Sequence, residues 1–137
     1  MNYLALKFAH VFIAIVAIGS SAALAIVLGY FADDPEHGAF ALRLVRRLSW
    51  IIVIPGYVLM LATGMFMGHQ AGLLDARWTE AAMNLWGFGA LFLGLAVWSL
   101  NRRLRGLRGA ATLGRVSAVG WALVVVSILY FMVFKPA

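Results

Sequence analysis

Apolar residues occur in four long stretches along the chain, at about residues 3–30, 48–67, 81–100 and 116–134. None of these stretches alternates between apolar and polar positions as a half-buried strand does. A helix crosses the hydrocarbon core of a bilayer with about 20 mostly apolar residues, whereas a strand of a membrane barrel has only about 10. The pattern therefore predicts four transmembrane helices.

The segments that link the four stretches are short, and no internal repeat is visible along the chain. Short links between neighbouring helices favour an up-down arrangement. We therefore predict a single all-α domain over residues 1–137, an integral membrane four-helix bundle. The small residues 19–23 resemble the cleavage region of a secretory signal, but the apolar run continues beyond the roughly 7–15 residues of such a signal. We expect the first stretch to be retained as a membrane helix.

The segment before the second stretch has the features of an amphipathic helix. Asp34 can cap its first turn, Pro35 suits the first helical position, and Glu36 suits the positive end of the helix dipole. Apolar and basic residues then fall on two adjoining faces, which are formed by Phe40, Leu44 and Leu48 and by Arg43, Arg46 and Arg47. The segment is predicted to run into the second span, where Pro55-Gly56 should produce a kink.

The composition agrees with a membrane protein and excludes several other classes. Hydrophobic residues make up 64% of the chain and charged residues 12%, and the mean hydropathy is +0.95. A soluble domain has about a quarter charged residues, and a disordered chain has low hydrophobicity. Because the sequence contains no cysteine, disulfides, thiolate nucleophiles, and zinc or iron–sulfur sites built on thiolates are excluded.

The positive charge is concentrated in two of the linking segments. Of the 11 basic residues, eight lie there, namely Arg43, Arg46, Arg47, Arg102, Arg103, Arg105, Arg108 and Arg115. Since cytoplasmic loops are enriched in arginine and lysine, both termini are predicted to lie outside, in a multi-pass protein of the bacterial plasma (inner) membrane. The lipid bilayer is the expected partner, and its anionic headgroups attract the arginines. No module that reads nucleic acid accompanies the charge, so nucleic acid is not an expected partner.

Polar residues inside the predicted spans are the candidates for function, because they are costly in lipid and usually face the protein interior. His10 lies on a stripe of small residues that continues through Ala14, Ala17, Ser21 and Ala25. The outer ends of the four spans together offer a set of polar or soft side chains, which are His10, Met65, His69, Asn84 and Tyr130. The tryptophans are interpreted as parts of interfacial belts, and they include Trp78, Trp86, Trp98 and Trp121.

Two cofactors suit these side chains. A b-type heme takes a neutral imidazole as its axial ligand, often with histidine or methionine opposite. His10 is the predicted ligand, with His69 or Met65 as its partner near the outer leaflet, in a protein of heme synthesis or electron transfer. Copper is the alternative, because Met65-x-Met67-x-His69 carries soft ligands. On an intact helix, however, Met67 points about 200° away from the other two residues.

A role without a cofactor is a further alternative. The five acidic residues all lie in or near the linking segments, so neither carboxylate catalysis nor a proton-pumping path is indicated. Gly64-x-x-x-Gly68 is typical of close contact between membrane helices. On this interpretation the chain is an accessory subunit of a larger membrane complex, or a homodimer packed through Gly64 and Gly68.

Short motifs spread over nearly the whole chain support a resemblance to known proteins. They are Lys7-x-x-His10, Gly19, Arg46-Arg47-Leu48, Pro55, Trp78 and Lys135-Pro136. On these motifs the chain resembles a superfamily of small four-helix bacterial membrane proteins. That superfamily includes the oxygen-independent protoporphyrinogen oxidases of heme synthesis, the copper-resistance D domain, and a large set of predicted integral membrane proteins of unknown function. The chain is most similar to the last group.

The resemblance carries an implication about heme. In the oxidase branch the histidine of the first helix is implicated in binding heme b, and the matching residue here is His10. If the chain is an enzyme, the resemblance implies an oxidoreductase like protoporphyrinogen oxidase. That branch also has a lysine at the start of the third helix, whereas residues 79–83 contain none, and an acidic residue where this chain has Val45. The resemblance therefore implies heme binding more directly than it implies oxidase activity.

Overall fold

The computed structural model describes residues 2–134, which form helices and short turns without a strand. The elements are α1 (Tyr3–Phe31), α2 (Gly38–Leu48), a π-helical segment (Ser49–Val53), α3 (Ile54–Ala71), α4 (Arg77–Leu104) and α5 (Ala110–Phe134). Four continuous helical units are long and apolar enough to cross a membrane, with α2, the π-helical segment and α3 forming one unit, Gly38–Ala71. The predicted all-α fold with four spans is confirmed. The helices extend beyond several of the apolar stretches because their polar ends remain helical.

Local signals in the sequence explain where the helices begin and end. The side chain of Asn2 accepts a hydrogen bond of 2.7 Å from the backbone N–H of Ala5 and so caps α1. At the end of α3, Gly72 adopts a left-handed conformation with φ of 69°. This conformation lets the N–H of Leu73 donate to the carbonyl of Gly68 at 2.8 Å, which closes the helix with a Schellman motif.

The predicted cap at Asp34 is present, but α2 begins later than Pro35. The Asp34 carboxylate accepts hydrogen bonds from the backbone N–H groups of Glu36 and His37, at 2.8 and 3.0 Å. These two bonds, that of His37 first, lower the pKa of Asp34. The capped segment is a turn, and regular helix starts at Gly38, whose N–H donates to the Asp34 carbonyl at 2.8 Å.

The amphipathic α2 packs on the bundle with side chains other than Phe40 and Leu44 of its apolar face. Its buried side chains are Ala41, Leu42 and Val45. Phe40 and Leu44 were expected to form an apolar face, and they do lie on one side of the helix, but they are 61% and 37% exposed. A helix at a membrane surface has two apolar neighbours, the protein and the lipid, and the pattern alone does not separate them.

The irregularity expected at Pro55 is a π-helical turn just before it. Pro55 has no N–H, and its ring clashes with the carbonyl four residues earlier in a regular helix. In the π-helical segment the N–H of Ile54 donates to the Ser49 carbonyl, one residue further back than usual, which widens the turn. The next residue, Gly56, allows close approach of α1, since a Cβ there would lie 2.7 Å from the Cβ of Ala17.

The buried core is concentrated towards one end of the bundle. We call this end, formed by residues 32–50 and 101–115, the arginine end, and the other end the cleft end. All four spans contribute to the core, through Leu24, Leu42, Val45, Val53, Tyr57, Leu93, Val97, Leu100, Trp121 and Val125. Most of these residues lie in the half nearer the arginine end, where α2 adds a further packed helix.

Ion pairs also join the helices at the arginine end. The Asp33 carboxylate contacts Arg103 at 2.9 Å and Arg115 at 3.8 Å, which links the turn after α1 to α4 and α5. Around the rest of the bundle the outward side chains are large and apolar, and Leu4, Phe8 and Val133 are each more than 70% exposed. A surface of this kind is suited to contact with acyl chains.

Candidate ligand-binding cleft

A cleft of about 640 Å³ lies between α1, α3, α4 and α5 in the cleft end. Its lining is mostly apolar, and the polar or charged side chains are few: Tyr3, Lys7, His10, Tyr57 and Thr79. A concave apolar site with few polar groups is the usual form of a small-molecule site. The position of His10 in this lining makes the cleft the candidate site.

His10 is held by a hydrogen bond to α3. Its Nδ1 lies 2.7 Å from the Oγ1 of Thr63. The Thr63 hydroxyl also lies 2.8 Å from the carbonyl oxygen of Leu59 and 3.2 Å from that of Met60. Because α1 and α3 are long helices from distant parts of the sequence, this contact depends on the tertiary fold.

The hydrogen-bond pattern favours one tautomer of a neutral His10. When the Thr63 hydroxyl donates its single proton to the Leu59 carbonyl, Nδ1 of His10 is the donor to Thr63, and Nε2 keeps its lone pair. This is the arrangement of metal-ligating histidines, which donate one ring N–H to a neighbour and bind through the other nitrogen.

Gly64 places the His10 ring close to the backbone of α3. A Cβ at Gly64 would lie 3.4 Å from Cε1 of His10, in van der Waals contact, so a side chain larger than alanine there would displace the ring. The sequence pattern indicated that Gly64 is a packing residue. The side chain that it contacts is His10, the predicted metal-ligating residue. Thr63 was missed in the sequence, although a hydroxyl inside an apolar span is a visible signal for a hydrogen bond.

An aromatic pair forms the inner wall of the cleft. The rings of Tyr57 and Trp86 are stacked, with centroids 4.9 Å apart. Each side chain donates to the backbone carbonyl of the other residue, Tyr57 Oη at 2.8 Å and Trp86 Nε1 at 3.1 Å. The interpretation of Trp86 and Trp121 as interfacial belt residues is wrong, because Trp86 stacks in this pair and Trp121 is only 8% exposed in the core.

One polar atom in the lining has no partner. The Oγ1 of Thr79, in the first turn of α4, is buried and makes no hydrogen bond within the described part of the chain. Its position so near the helix start leaves it without a helical carbonyl four residues back. An unpaired hydroxyl in an apolar lining is costly, and a polar group of a ligand can relieve that cost after rotation of the side chain.

The other predicted site residues do not all reach the cleft. Met65 lines it, whereas His69 is exposed and is not part of the lining, although the two residues are one helical turn apart. Asn84 is also exposed outside the lining, and Tyr130 is 52% exposed and packs against Phe134 with tilted rings. The structure therefore brings together His10 and Met65 from the predicted layer.

Comparison with known proteins identifies the family. A family described as predicted integral membrane protein (DUF2269) matches residues 4–136 of the chain. The chain belongs to the DUF2269 family. No curated protein and no solved structure matches it significantly. The family and the four apolar helices together identify a multi-pass integral membrane protein, for which lipid is the surrounding medium. The terminal Lys135-Pro136 motif lies outside the described residues.

Metal binding by this DUF2269 protein has few side chains to draw on. Within residues 2–134 no three His, Asp or Glu side chains are grouped so that they can hold a metal ion. Met65 and Met67 line the cleft whereas His69 does not, so the three copper-ligand candidates do not converge. A cofactor that brings its own metal ligands needs only one or two protein side chains and suits this site better.

The two glycines of the predicted dimer motif meet partners within the chain. Gly64 faces His10, and a Cβ at Gly68 would lie 2.9 Å from Leu74. The face of α3 that carries both glycines in the DUF2269 protein is therefore turned towards its own α1 and the α3–α4 turn. The motif has a packing role that does not require a second copy.

Proposed function

We propose that this DUF2269 protein binds a b-type heme in the cleft, with Nε2 of His10 as an axial ligand. The observation that carries the proposal is the 2.7 Å hydrogen bond between Nδ1 of His10 and Thr63. It fixes the ring and leaves the ligating nitrogen available, as in histidines that bind metals. Of the two residues predicted as the partner of His10 in heme binding, His69 and Met65, Met65 is the one that lines the cleft.

The remaining lining fits an apolar macrocycle with charged edges. The walls are aliphatic, aromatic and thioether side chains, which suit a flat apolar ring. Lys7 lies one helical turn before His10, is exposed, and belongs to the same lining, so it can pair with a propionate. When bound, the heme supplies a one-electron redox couple, which suits electron transfer or a step of heme synthesis in the membrane.

The test is the visible absorption of the protein purified in mild detergent with hemin supplied. We expect a Soret band with a stoichiometry near one heme per chain, and loss of most of it in His10→Ala. His69→Ala is the matched control, because it removes the same side chain from the same end of the bundle but outside the cleft. A Soret band that is absent from the wild type, or that survives His10→Ala unchanged, contradicts the proposal.

A further inference from the structure

A second recess lies at the arginine end, on the outer surface of α2 and the π-helical segment. It has a volume of about 550 Å³ and is lined by Phe40, Arg43, Leu44, Arg46, Arg47, Trp50 and Ile51. We call it the arginine groove. It is separate from the cleft, with which it shares no lining residue. The groove therefore needs an explanation of its own.

The groove carries positive charge that the protein does not neutralise. Among residues 2–134, neither Arg43 nor Arg47 forms an ion pair. The guanidinium of Arg46 donates to the side-chain oxygen of Asn101 at 2.9 Å, which positions it without neutralising it. Charged side chains concentrated in one recess next to an apolar region attract an anion from the surroundings.

The acidic residues at this end have other partners. Asp33 pairs with Arg103 and Arg115, and Asp34 caps the turn before α2. Glu36 contacts His37 at 4.0 Å and is 84% exposed. None of the three belongs to the groove lining, so within residues 2–134 no acidic side chain balances these arginines, and an external anion can do so.

The other half of the groove is apolar and exposed. Phe40, Trp50 and Ile51 are 61%, 59% and 57% exposed, and they continue into the lipid-facing surface of the second span. Tryptophan at the end of a span is typical of the headgroup level of a bilayer. The groove thus joins a cationic part to an apolar part at the depth where a phospholipid has its phosphate above its acyl chains.

We propose that the arginine groove binds an anionic glycerophospholipid. Arg43 and Arg47 pair with the phosphate and headgroup charge, and Phe40, Trp50 and Ile51 contact the upper acyl chains. Guanidinium groups make paired hydrogen bonds to phosphate oxygens, so this arrangement favours a lipid with net negative charge over a zwitterionic one. Basic recesses on the cytoplasmic side of membrane helices are suited to such headgroups.

The test is native mass spectrometry of the full-length protein, purified in detergent and titrated with phosphatidylglycerol or phosphatidylcholine of the same acyl chains. We expect discrete retention of phosphatidylglycerol and little retention of phosphatidylcholine. The double variant Arg43→Gln/Arg47→Gln should weaken phosphatidylglycerol binding by about tenfold or more, because each arginine near an anionic headgroup contributes a factor of about five. Both side chains lie at the protein surface, and a melting curve in the same detergent checks the fold.

The matched control is Arg105→Gln/Arg108→Gln, which removes the same charge from the same end of the protein. Both arginines are exposed and lie outside the groove. Equal loss of lipid in the two double variants contradicts the proposal, since it shows a diffuse charge effect. Full displacement of phosphatidylglycerol by excess inorganic phosphate also contradicts it, because the groove would then be a site for the anion alone. Equal retention of the two lipids by the wild type has the same consequence.

Discussion

The two ends of the bundle are built differently. At the arginine end, α2 packs against α1 and α4, and Leu42, Val45 and Leu100 are each at most 6% exposed. At the cleft end the same spans enclose a space of about 640 Å³. The arginine end is therefore closely packed, whereas the cleft end retains an apolar space that is lined by His10.

The difference has a physical origin in the linking segments. The link between α1 and α3 contains an eleven-residue helix that fills the arginine end, whereas residues 72–76, between α3 and α4, form only a short turn. In lipid the helices gain no hydrophobic free energy from association, so they stay together where side chains interlock and can separate where they do not. The packing of α2 therefore holds the helices together at the arginine end, and this allows them to separate around the cleft at the other end.

Truncation of a leucine should show the largest contrast between the two ends. Leu100→Ala removes a side chain that is 5% exposed in the packed core, and it should lower the free energy of unfolding by about 2 kcal/mol or more. Leu129→Ala removes the same atoms from the cleft lining, where the residue is 47% exposed, and should have a much smaller effect. Thermal unfolding in detergent measures both, and equal losses would contradict the description of two unlike ends.

A glycine substitution tests the packing of the Tyr57–Trp86 pair, which forms the inner wall of the cleft. A Cβ at Gly89 would collide with the Tyr57 hydroxyl, so Gly89→Ala should displace the Tyr57–Trp86 pair and destabilise the protein by about 1–3 kcal/mol. Gly87→Ala is the control, because nothing lies within 4 Å of its added Cβ. It should be neutral or slightly stabilising in the same melting experiment. A stable Gly89→Ala variant would show that the aromatic pair is not tightly packed against α4.

The pH dependence of the turn before α2 is the smallest expected effect. The pKa of Asp34 is lowered in the folded protein by the N–H groups of His37 and Glu36. Its stabilisation is therefore present above the ordinary aspartate pKa and is lost as the pH falls through the lower, folded value. Between pH about 6 and about 3, the melting temperature of the wild type should fall more than that of Asp34→Asn. Asp75→Asn, in the turn at the cleft end, should follow the wild type.

The sequence allowed the coarse architecture to be predicted because membrane spans depend on local composition. The four apolar stretches, the cap at Asp34 and an irregular backbone before Pro55 all follow from residues close in the chain. The interior position of His10 also followed from its stripe of small neighbours. The stretches, the cap and the irregular backbone do not depend on how the helices are rotated against each other.

Features that depend on helix rotation were predicted less well. Met65 and His69 are one turn apart, but the cleft edge falls between them, so one lines the site and the other does not. Phe40 and Leu44 face outward because Ala41 and Val45 fit the bundle more closely. The hydrogen bond between His10 and Thr63 joins residues that are 53 positions apart in the sequence. The local sequence around either residue does not predict that the two side chains meet.

The most direct test of the His10 site is the iron–imidazole stretching band in the resonance Raman spectrum of the ferrous, hemin-loaded Met65→Ala protein. This background removes the candidate second ligand, because the band is visible only when the ferrous heme iron has a single axial ligand. Thr63→Val, added to this background, keeps the shape of the side chain and removes the acceptor for the Nδ1–H group of His10. Because a hydrogen bond at Nδ1 makes the imidazole a stronger ligand, we predict that the band is present in Met65→Ala and shifts to lower frequency when Thr63→Val is added. A band that is absent from Met65→Ala, or that is identical with and without Thr63→Val, would contradict the account.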